Sequence, residues 1–275
     1  MGRRFLKIIL PAIAGGLEAV HIFGVVDDDK LILELVEVSR QFGEVRAVDG
    51  LSLAVGAGEI VGLLGPNGAG KTTTVKMLMG MMRQSAGELS LFGMDCFKER
   101  SEVQKRVGFL PDEPNFQSHL RGIELMEFVG KVRGLSPDAI TTHINDFGEK
   151  LGLVEDLGDY AANYSKGMRK KLAFLMATVH QPDLLIMDEP TNGLDPVATR
   201  SFLELVERLV EGGTGVLYST HLLDQAEKVC HRCVVMNRGR LVAEGTVDEL
   251  KTSAGVENLE EVFFAVTGGD EGHEA

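Results

Sequence analysis

The segment from Gly65 to Thr72, with the sequence GPNGAGKT, has the residue types that bind phosphate groups. It fits the spacing G-x-x-x-x-G-K-[ST] and lies between a predicted strand (GEIVGLL, 58–64) and a predicted helix (TTTVKMLMGMM, 72–82). Glycines let successive backbone N–H groups turn toward phosphate oxygens, and the helix N-terminus adds partial positive charge. We therefore predict a nucleotide site in which Lys71 reaches the β- and γ-phosphates and the Thr72 hydroxyl binds Mg²⁺.

Two adjacent carboxylates follow a second apolar run, DLLIMDEP (183–190). This run predicts a buried strand, and ligands of open α/β sheets lie at the carboxyl ends of such strands. Asp188 fits the acid that helps to hold Mg²⁺, while Glu189 is suited to orient or deprotonate an attacking water. A third run, TGVLYSTH (214–221), ends in His221. A histidine at a strand end is more often structural, but here the neighbouring strands make it a catalytic candidate.

The elements that must position these residues predict an α/β fold. The alternating segments KLILELVEVSRQFG (30–43) and RAVDGLSLAV (46–55) predict antiparallel strands. Residues 111–179 have mostly helical periodicity, with Ser136 before Pro137 as a helix start. Since strands then alternate with helices, we expect a mostly parallel central sheet, an N-terminal antiparallel β subdomain and an inserted helical subdomain at about 111–179.

The last third of the chain contains several boundary signals. A helix should begin at Asp195-Pro196 and stop at Gly212-Gly213. Residues 237–239 should turn a hairpin, and two closing helices should be capped, by Thr246 with Glu249 and by Asn258 with Glu261.

Composition limits the partners and the compartment. Acidic residues outnumber basic ones 41 to 28, for a net charge of −13, so no nucleic-acid partner is expected. The cysteines Cys96, Cys230 and Cys233 are too few for a disulfide framework, which favours a reducing compartment. The segment CHRC (230–233) is only a weak candidate for a metal site, because zinc usually needs four ligands. A half-buried pair of sulfur atoms is the simpler interpretation.

The two ends of the chain are predicted to lie outside the folded domain. Residues 1–30 begin with basic and apolar residues, as a signal peptide or short anchor does, but Lys7, Pro11 and Glu18 interrupt the apolar run. We expect a disordered or surface-lying extension there, or an upstream start codon, and an acidic tail at 268–275.

These motifs, in this order, resemble the ATP-binding subunit of ABC transporters over about residues 31–267, with a P-loop NTPase core. The resemblance implies roles for Asp188 in Walker B, Asp195 in the D-loop and His221 as the switch histidine, and it makes Phe42 an aromatic that stacks on adenine. It assigns the Walker A contacts with ATP to Gly65, Pro66, Asn67, Gly68, Ala69, Gly70, Lys71, Thr72 and Thr73.

The segment YSKGM (164–168) resembles the signature LSGGQ, which closes over ATP held by a second copy. The resemblance therefore implies a head-to-tail dimer, homomeric or heteromeric, in which Ser165 and Gly167 contact nucleotide. Lys166 stands where the signature has glycine, which leaves open whether it touches the γ-phosphate. We interpret the basic residues 169–171 that follow mainly as a solvated helix face, with a position near phosphate or a partner loop as the alternative for some of them.

Two further features concern the class of transporter. Asp112 falls at the Q-loop glutamine, where it becomes a candidate Mg²⁺ ligand, and NLEEVFFAVTG (258–268) resembles the closing helix of type-2 exporters. The resemblance implies an ATPase on the cytoplasmic face of a membrane, peripheral to an integral membrane permease. The alternatives are an ABC ATPase that acts on nucleic acid or ribosomes, and a small-molecule kinase or GTPase, although the guanine-reading Asn-Lys-x-Asp motif is missing.

Overall fold

The computed structural model describes residues 3–5, 25–27 and 30–268. Its strands are β1 (Arg3–Phe5), β2 (Val25–Asp27), β3 (Leu31–Phe42), β4 (Val45–Gly56), β5 (Ile60–Leu64), β6 (Ala86–Leu91), β7 (Met94–Asp95), β8 (Val107–Leu110), β9 (Leu184–Asp188), β10 (Gly215–Thr220), β11 (Arg232–Asn237) and β12 (Arg240–Thr246). Its α-helices are α1 (Lys71–Leu78), α2 (Arg100–Arg106), α3 (Gly122–Val132), α4 (Pro137–His143), α5 (Lys166–Thr178), α6 (Pro196–Glu211), α7 (Leu223–Val229), α8 (Val247–Ala254) and α9 (Leu259–Thr267).

The central sheet has the strand order β12-β11-β5-β10-β9-β8, and every neighbouring pair except β11–β12 is parallel. Strands β5, β9 and β10 are buried along their whole length, which agrees with the apolar residues that fill them up to their carboxyl ends. Leu64 pairs with Thr220, and Asp188 pairs with Ser219. The carboxyl ends of these three strands therefore meet at one edge of the sheet.

A second sheet, of order β4-β3-β6-β7, is antiparallel. It packs with α1 against one face of the central sheet, where Leu35, Leu53 and Val61 share a core. The opposite face carries α5 and α6, and its core includes Phe174, Phe202 and other large apolar side chains. The predicted α/β fold with a mostly parallel sheet and an antiparallel N-terminal sheet is confirmed.

Helix boundaries follow the predicted caps, with one exception. The side chains of Ser136, Thr246 and Asn258 accept a hydrogen bond from a backbone N–H of the first helical turn. The helix after the phosphate loop was predicted to reach residue 82, but α1 ends at Leu78. Gly80 turns into the left-handed region (φ 61°), and its N–H bonds the carbonyl of Met77, so the chain leaves the helix there.

Residues 111–179 contain α3, α4 and α5, with a π-helical turn at Ile144–Gly148. Of the predicted extension at 1–30, the structure describes the antiparallel pair β1–β2 and Lys30, and the rest lies outside the described residues. The predicted tail from 268 likewise lies outside them beyond Gly268. None of the helices in the described residues combines the length and the apolar character that crossing a membrane requires.

Candidate nucleotide site

The phosphate loop between β5 and α1 is shaped by contacts with its own chain. A Cβ atom on Gly65 would lie 2.5 Å from the carbonyl oxygen of Met236, and one on Gly70 would lie 2.5 Å from that of Ala47. Gly70 also has a φ of 106°, which only glycine adopts without strain. The two glycines therefore allow the loop to pack tightly on β11 and β4, while the first N–H groups of α1 have no acceptor within the helix.

Lys71 lies across the inner side of this loop. Its ammonium donates to the carbonyl oxygens of Gly65, at 2.5 Å, and Pro66, at 3.2 Å. Burial lowers the pKa of Lys71, and the nearby carboxylates of Glu189 and Asp188 oppose that shift. The ammonium is thus a desolvated positive charge held beside the phosphate loop by two of its carbonyl oxygens, which suits a bound phosphate.

Asp188, at the end of β9, faces the phosphate loop. The Thr72 hydroxyl donates to its Oδ2 at 3.2 Å, and the Ser219 hydroxyl donates to its Oδ1 at 2.8 Å. Asp188 is buried, so these hydroxyls supply the hydrogen bonds that a buried carboxylate requires. Ser219 was not identified from the sequence. It lies on β10 directly opposite Asp188 of β9, so its position is a consequence of the strand register.

Glu189 is held from the neighbouring strand β10. The Thr220 hydroxyl donates to its Oε2 at 3.0 Å, and the Nδ1 of His221 lies 2.8 Å from its Oε1. The backbone of Glu189 has a φ of 45°, a conformation that costs energy in a non-glycine residue and is concentrated at functional sites. The structure thus brings together the Glu189 and His221 side chains that the sequence singled out, and adds Thr220.

These groups fit a nucleotide and Mg²⁺ in their chemistry. Among residues 30–268, no three His, Cys, Asp or Glu side chains form a group able to hold a metal. Magnesium in nucleotide sites does not need such a group, because one or two carboxylates and phosphate oxygens complete its shell. The hydroxyl and carboxylate oxygens of Thr72 and Asp188 are hard donors of that kind.

The start of α5 contains the predicted signature residues. The Ser165 hydroxyl caps the helix by accepting from the N–H of Met168 at 3.2 Å. A Cβ on Gly167 would lie 3.1 Å from the carbonyl oxygen of Gly193, so this turn packs closely on the segment after Glu189. The aliphatic part of Lys166 lies against Gly193 as well, where an added Cβ would be 2.8 Å from its Cδ.

One interpretation from the sequence is wrong. Lys170, expected on a solvated helix face, is fully buried. Its ammonium donates to the backbone carbonyl of Glu189 at 2.9 Å and to those of Pro111 and Asp112. The expectation failed because three adjacent basic residues give no sign of which one faces inward, and the acceptors are backbone atoms from distant segments.

Asp112 follows β8, and its side chain lies near the Lys170 ammonium. Its Oδ1 is 3.6 Å from the Lys170 ammonium and 3.4 Å from the Asn192 amide nitrogen, which donates to it. The carboxylate is partly exposed. The contacts that the structure gives Asp112 are thus with these nitrogen donors.

Phe42 and Asp195 already have contacts within the chain. Phe42 is 43% exposed at the end of β3, and the Arg40 guanidinium carbon lies 4.6 Å from the centre of its ring. One aromatic face is therefore occupied by a cation, which sequence spacing alone did not indicate. Asp195 caps α6 by accepting from the N–H groups of Val197 and Ala198, and these bonds lower the pKa of its carboxyl.

The cysteine pair is a core feature. Cys230 and Cys233 are both buried rather than half-buried, and both sulfurs lie over Gly62, where an added Cβ would come within 2.9 Å and 3.3 Å of them. The intervening His231 accepts the N–H of Ile60 through Nδ1 at 2.9 Å. These three side chains join α7 and β11 to the central strand.

The motif geometry agrees with the comparisons. Residues 48–192, more than half of the chain, match the family described as ABC transporter. The chain belongs to this family. "ABC transporter ATP-binding protein NatA" of Bacillus subtilis (strain 168) is 31% identical over 239 residues, covering 85% of this chain and 97% of that protein.

Two other members of the ABC transporter family are also similar. "Nod factor export ATP-binding protein I" of Cupriavidus pinatubonensis (strain JMP 134 / LMG 1197) is 37% identical over 219 residues, 80% of this chain and 67% of that protein. A solved structure of the ATP binding subunit of an ABC transporter is 30% identical, with a TM-score of 0.81 over 86% of this chain and 99% of that one. The chain is an ABC ATP-binding subunit and an ATPase.

Proposed function

We propose that the chain hydrolyses ATP with Glu189 as the group that orients and deprotonates the attacking water, and that it powers an exporter. The observation that carries this proposal is the convergence of three strand ends. Lys71, Asp188 and Glu189 meet there, with the Glu189 carboxylate held by Thr220 and His221. A carboxylate fixed by hydrogen bonds on both oxygens keeps one lone-pair direction oriented, which is what a positioned base requires.

The remaining residues have separate proposed tasks. Mg²⁺, when bound, would neutralise charge on the phosphates. Thr72 and Asp188 would be its protein ligands, with Asp112 as a further candidate. The loop from Gly65 to Thr73 would bind the phosphates through its backbone N–H groups. Pro66 has no N–H, so it would shape the turn that presents Asn67, Gly68 and Ala69. Phe42 would stack on adenine through the ring face that Arg40 leaves uncovered.

The signature residues point to a second copy of an ATP-binding subunit. Ser165 and Gly167 are at the N-terminus of α5, where free backbone N–H groups suit an anionic phosphate. In a head-to-tail dimer, they would contact ATP bound by the partner's loop, with Asp195 near the same junction. ATP then acts as part of the interface, and hydrolysis weakens it.

The transport partner is an integral membrane permease, with this chain peripheral on the cytoplasmic face. The support comes from the similar proteins, which include a protein described as acting in Nod factor export. The test is co-purification of a membrane protein with the tagged chain from detergent-solubilised host membranes. ATPase activity stimulated by DNA or ribosomes, without a membrane partner, would contradict it.

The catalytic assignment predicts different effects for Glu189→Gln and Lys71→Ala. Glu189→Gln should reduce kcat by about 10²- to 10⁴-fold while ATP still binds, because it removes the base and leaves the phosphate loop intact. Lys71→Ala should weaken ATP binding itself, since it removes the charge beside the phosphates. Steady-state ATPase assays and titration with a fluorescent ATP analogue measure the two effects.

Glu211→Gln, on the exposed end of α6, is the matched control and should leave both quantities unchanged. Turnover at the wild-type rate by Glu189→Gln would refute the assignment of the base. An equal loss of ATP binding in Glu189→Gln and Lys71→Ala would refute the division of roles between these residues.

The dimer predicts a distinct effect of Ser165→Arg. In a Glu189→Gln background, where bound ATP persists, the added Arg side chain should block ATP-dependent dimerisation but leave ATP binding by the monomer intact. Light scattering after size exclusion, with and without ATP, measures the oligomer. Ser136→Arg is the matched control, because Ser136 caps α4 by the same type of hydrogen bond and both variants lose about 1 kcal/mol of helix capping. A Ser165→Arg protein that dimerises normally would rule out the signature interface.

A further inference from the structure

Lys170 is a buried cation whose contacts are mainly with the backbone. It lies five residues after Ser165 on α5, and its ammonium donates to the carbonyl oxygens of Glu189 (2.9 Å) and Pro111 (3.2 Å) and to that of Asp112. An ammonium has three N–H groups, so these carbonyls can use all of them. Burial lowers the pKa of Lys170, and the carboxylate of Asp112, 3.6 Å away, opposes that shift only in part.

A fully buried ammonium is costly to maintain, which calls for a reason beyond packing. Removing such a charge from water costs several kcal/mol before its hydrogen bonds are counted. An apolar side chain of similar length would fill the same space without that cost. What an apolar side chain cannot do is hold three carbonyl groups, from two separate segments, at fixed positions around one atom.

The carbonyl of Glu189 is the informative one of the three. Glu189 has a left-handed backbone (φ 45°), which a non-glycine residue keeps only when the surrounding structure fixes it. Its N–H donates to the carbonyl of Ser219 at 2.8 Å, so β10 fixes the peptide group before its Cα. Lys170 fixes the peptide group after it. Together the two bonds determine the direction in which the Cα–Cβ bond leaves the backbone, and hence the position of the carboxylate.

We propose that Lys170 is a positioning residue that holds the backbone of Glu189 in its left-handed conformation and ties it, with the segment at Pro111 and Asp112, to the helix that carries Ser165. The side chain thus connects the catalytic glutamate of a subunit to the helix whose first turn faces the partner's nucleotide. A displacement of α5 on dimerisation would reach the backbone of Glu189 directly through this ammonium, in addition to the packing of Gly167 and Lys166 on Gly193. The proposal rests on the proposed function in that Glu189 is the base and the first turn of α5 faces the partner's nucleotide.

The test compares Lys170→Met, which has similar length and no donors, with Lys170→Gln, whose amide keeps two N–H groups. In the full-length protein, Lys170→Met should lower kcat by about 10- to 100-fold through misplacement of Glu189. The dissociation constant of the fluorescent ATP analogue should stay within about twofold of wild type, since the phosphate loop is untouched. Lys170→Gln should recover part of kcat. Lys150→Met, an exposed lysine near α4, is the control.

Several outcomes would overturn the proposal. One is a folded Lys170→Met protein with wild-type kcat. Another is a Lys170→Met protein whose ATP affinity falls by as large a factor as its kcat. A third is a Lys170→Gln protein that is no more active than Lys170→Met. If Lys170→Met does not fold, wild-type kcat in Lys170→Gln overturns it, because that shorter side chain cannot hold all three carbonyls. Glu189→Gln in the same assay separates the two claims: if it is inactive while Lys170→Met is normal, only the role of Lys170 fails.

Discussion

Lys170 and Arg232 are both buried cations, but their environments differ. Lys170 donates to backbone carbonyls where β8 and β9 end, beside the candidate catalytic groups. Arg232, at the start of β11, donates to carboxylates: to Glu59 through Nε at 3.0 Å and to Glu244 through Nη1, with a further bond to the carbonyl of Ala54 at 2.6 Å. The ammonium of Lys170 is thus held mainly by carbonyl groups, whereas the guanidinium of Arg232 is held mainly by carboxylates.

The two pKa shifts differ accordingly. Burial lowers the pKa of Lys170, and its partners do not restore it. Burial also acts to lower the pKa of Arg232, but Glu59 and Glu244 outweigh this effect, so the pKa is raised overall. Charge pairing therefore fixes Arg232 as a structural tie among β4, β11 and β12, whereas the arrangement around Lys170 fixes backbone positions at a reactive site. We expect Arg232 to matter most for stability and Lys170 for turnover.

The largest expected effect on stability is that of Arg232→Met. Removing one member of a buried ion group leaves the Glu244 carboxyl buried without its cation, whether it stays ionised or takes up a proton, and leaves Glu59 and the carbonyl of Ala54 without their donor. The free energy of unfolding should therefore fall by about 3–5 kcal/mol. Urea unfolding followed by circular dichroism measures it, and kcat per folded molecule should be unchanged. Arg200→Met is the control, because Arg200 is 84% exposed in its pair with Glu204. A decrease no larger than that of the control would remove the structural contrast between Arg232 and Lys170.

Lys170→Met should have an intermediate effect on stability. It leaves carbonyl acceptors without a donor but no buried opposite charge, since Asp112 is partly exposed; the expected loss is about 1–3 kcal/mol. The same urea experiment measures it alongside Arg232→Met. If Lys170→Met lost more unfolding free energy than Arg232→Met, Lys170 would be a structural tie of the kind that Arg232 provides.

The contrast also explains what the sequence could predict. Strands β5, β9 and β10 begin as apolar runs, and each leads at its carboxyl end into polar residues suited to phosphate chemistry. The site was therefore predictable from the rule that ligands lie at the carboxyl ends of parallel strands. The caps Ser136 and Asp195 were predictable because a cap bonds within three residues of itself. Interactions between residues that are close along the chain can be recognised from the sequence in this way.

The role of Lys170 could not be predicted in this way. Its carbonyl partners are 19, 58 and 59 residues away along the chain, and a carbonyl has no residue type to recognise. The left-handed backbone of Glu189 and the stacking of Arg40 on Phe42 likewise depend on tertiary contacts. The end of α1 was misjudged for a related reason, because Gly80 lies inside a methionine-rich run that otherwise favours a helix.

The smallest expected effect is that of Glu244→Gln, which tests how the charge is shared around Arg232. Within the described residues, Oε2 of Glu244 is buried without a hydrogen-bond partner. Burial raises the pKa of Glu244, although Arg232 lowers it in part. The neutral amide keeps an oxygen acceptor for Arg232, which still pairs with Glu59, so the free energy of unfolding should change by less than about 1 kcal/mol.

The sign of the pH dependence follows from that raised pKa. The folded protein retains the Glu244 proton at pH values where the unfolded chain has lost it, so wild type loses this contribution to stability as pH rises from about 4.5 through the folded pKa. Glu244→Gln cannot lose that proton. Its stability relative to wild type should therefore increase with pH across this window, in parallel urea titrations at several pH values. A relative stability that falls as pH rises would mean that ionised Glu244 stabilises the fold through Arg232.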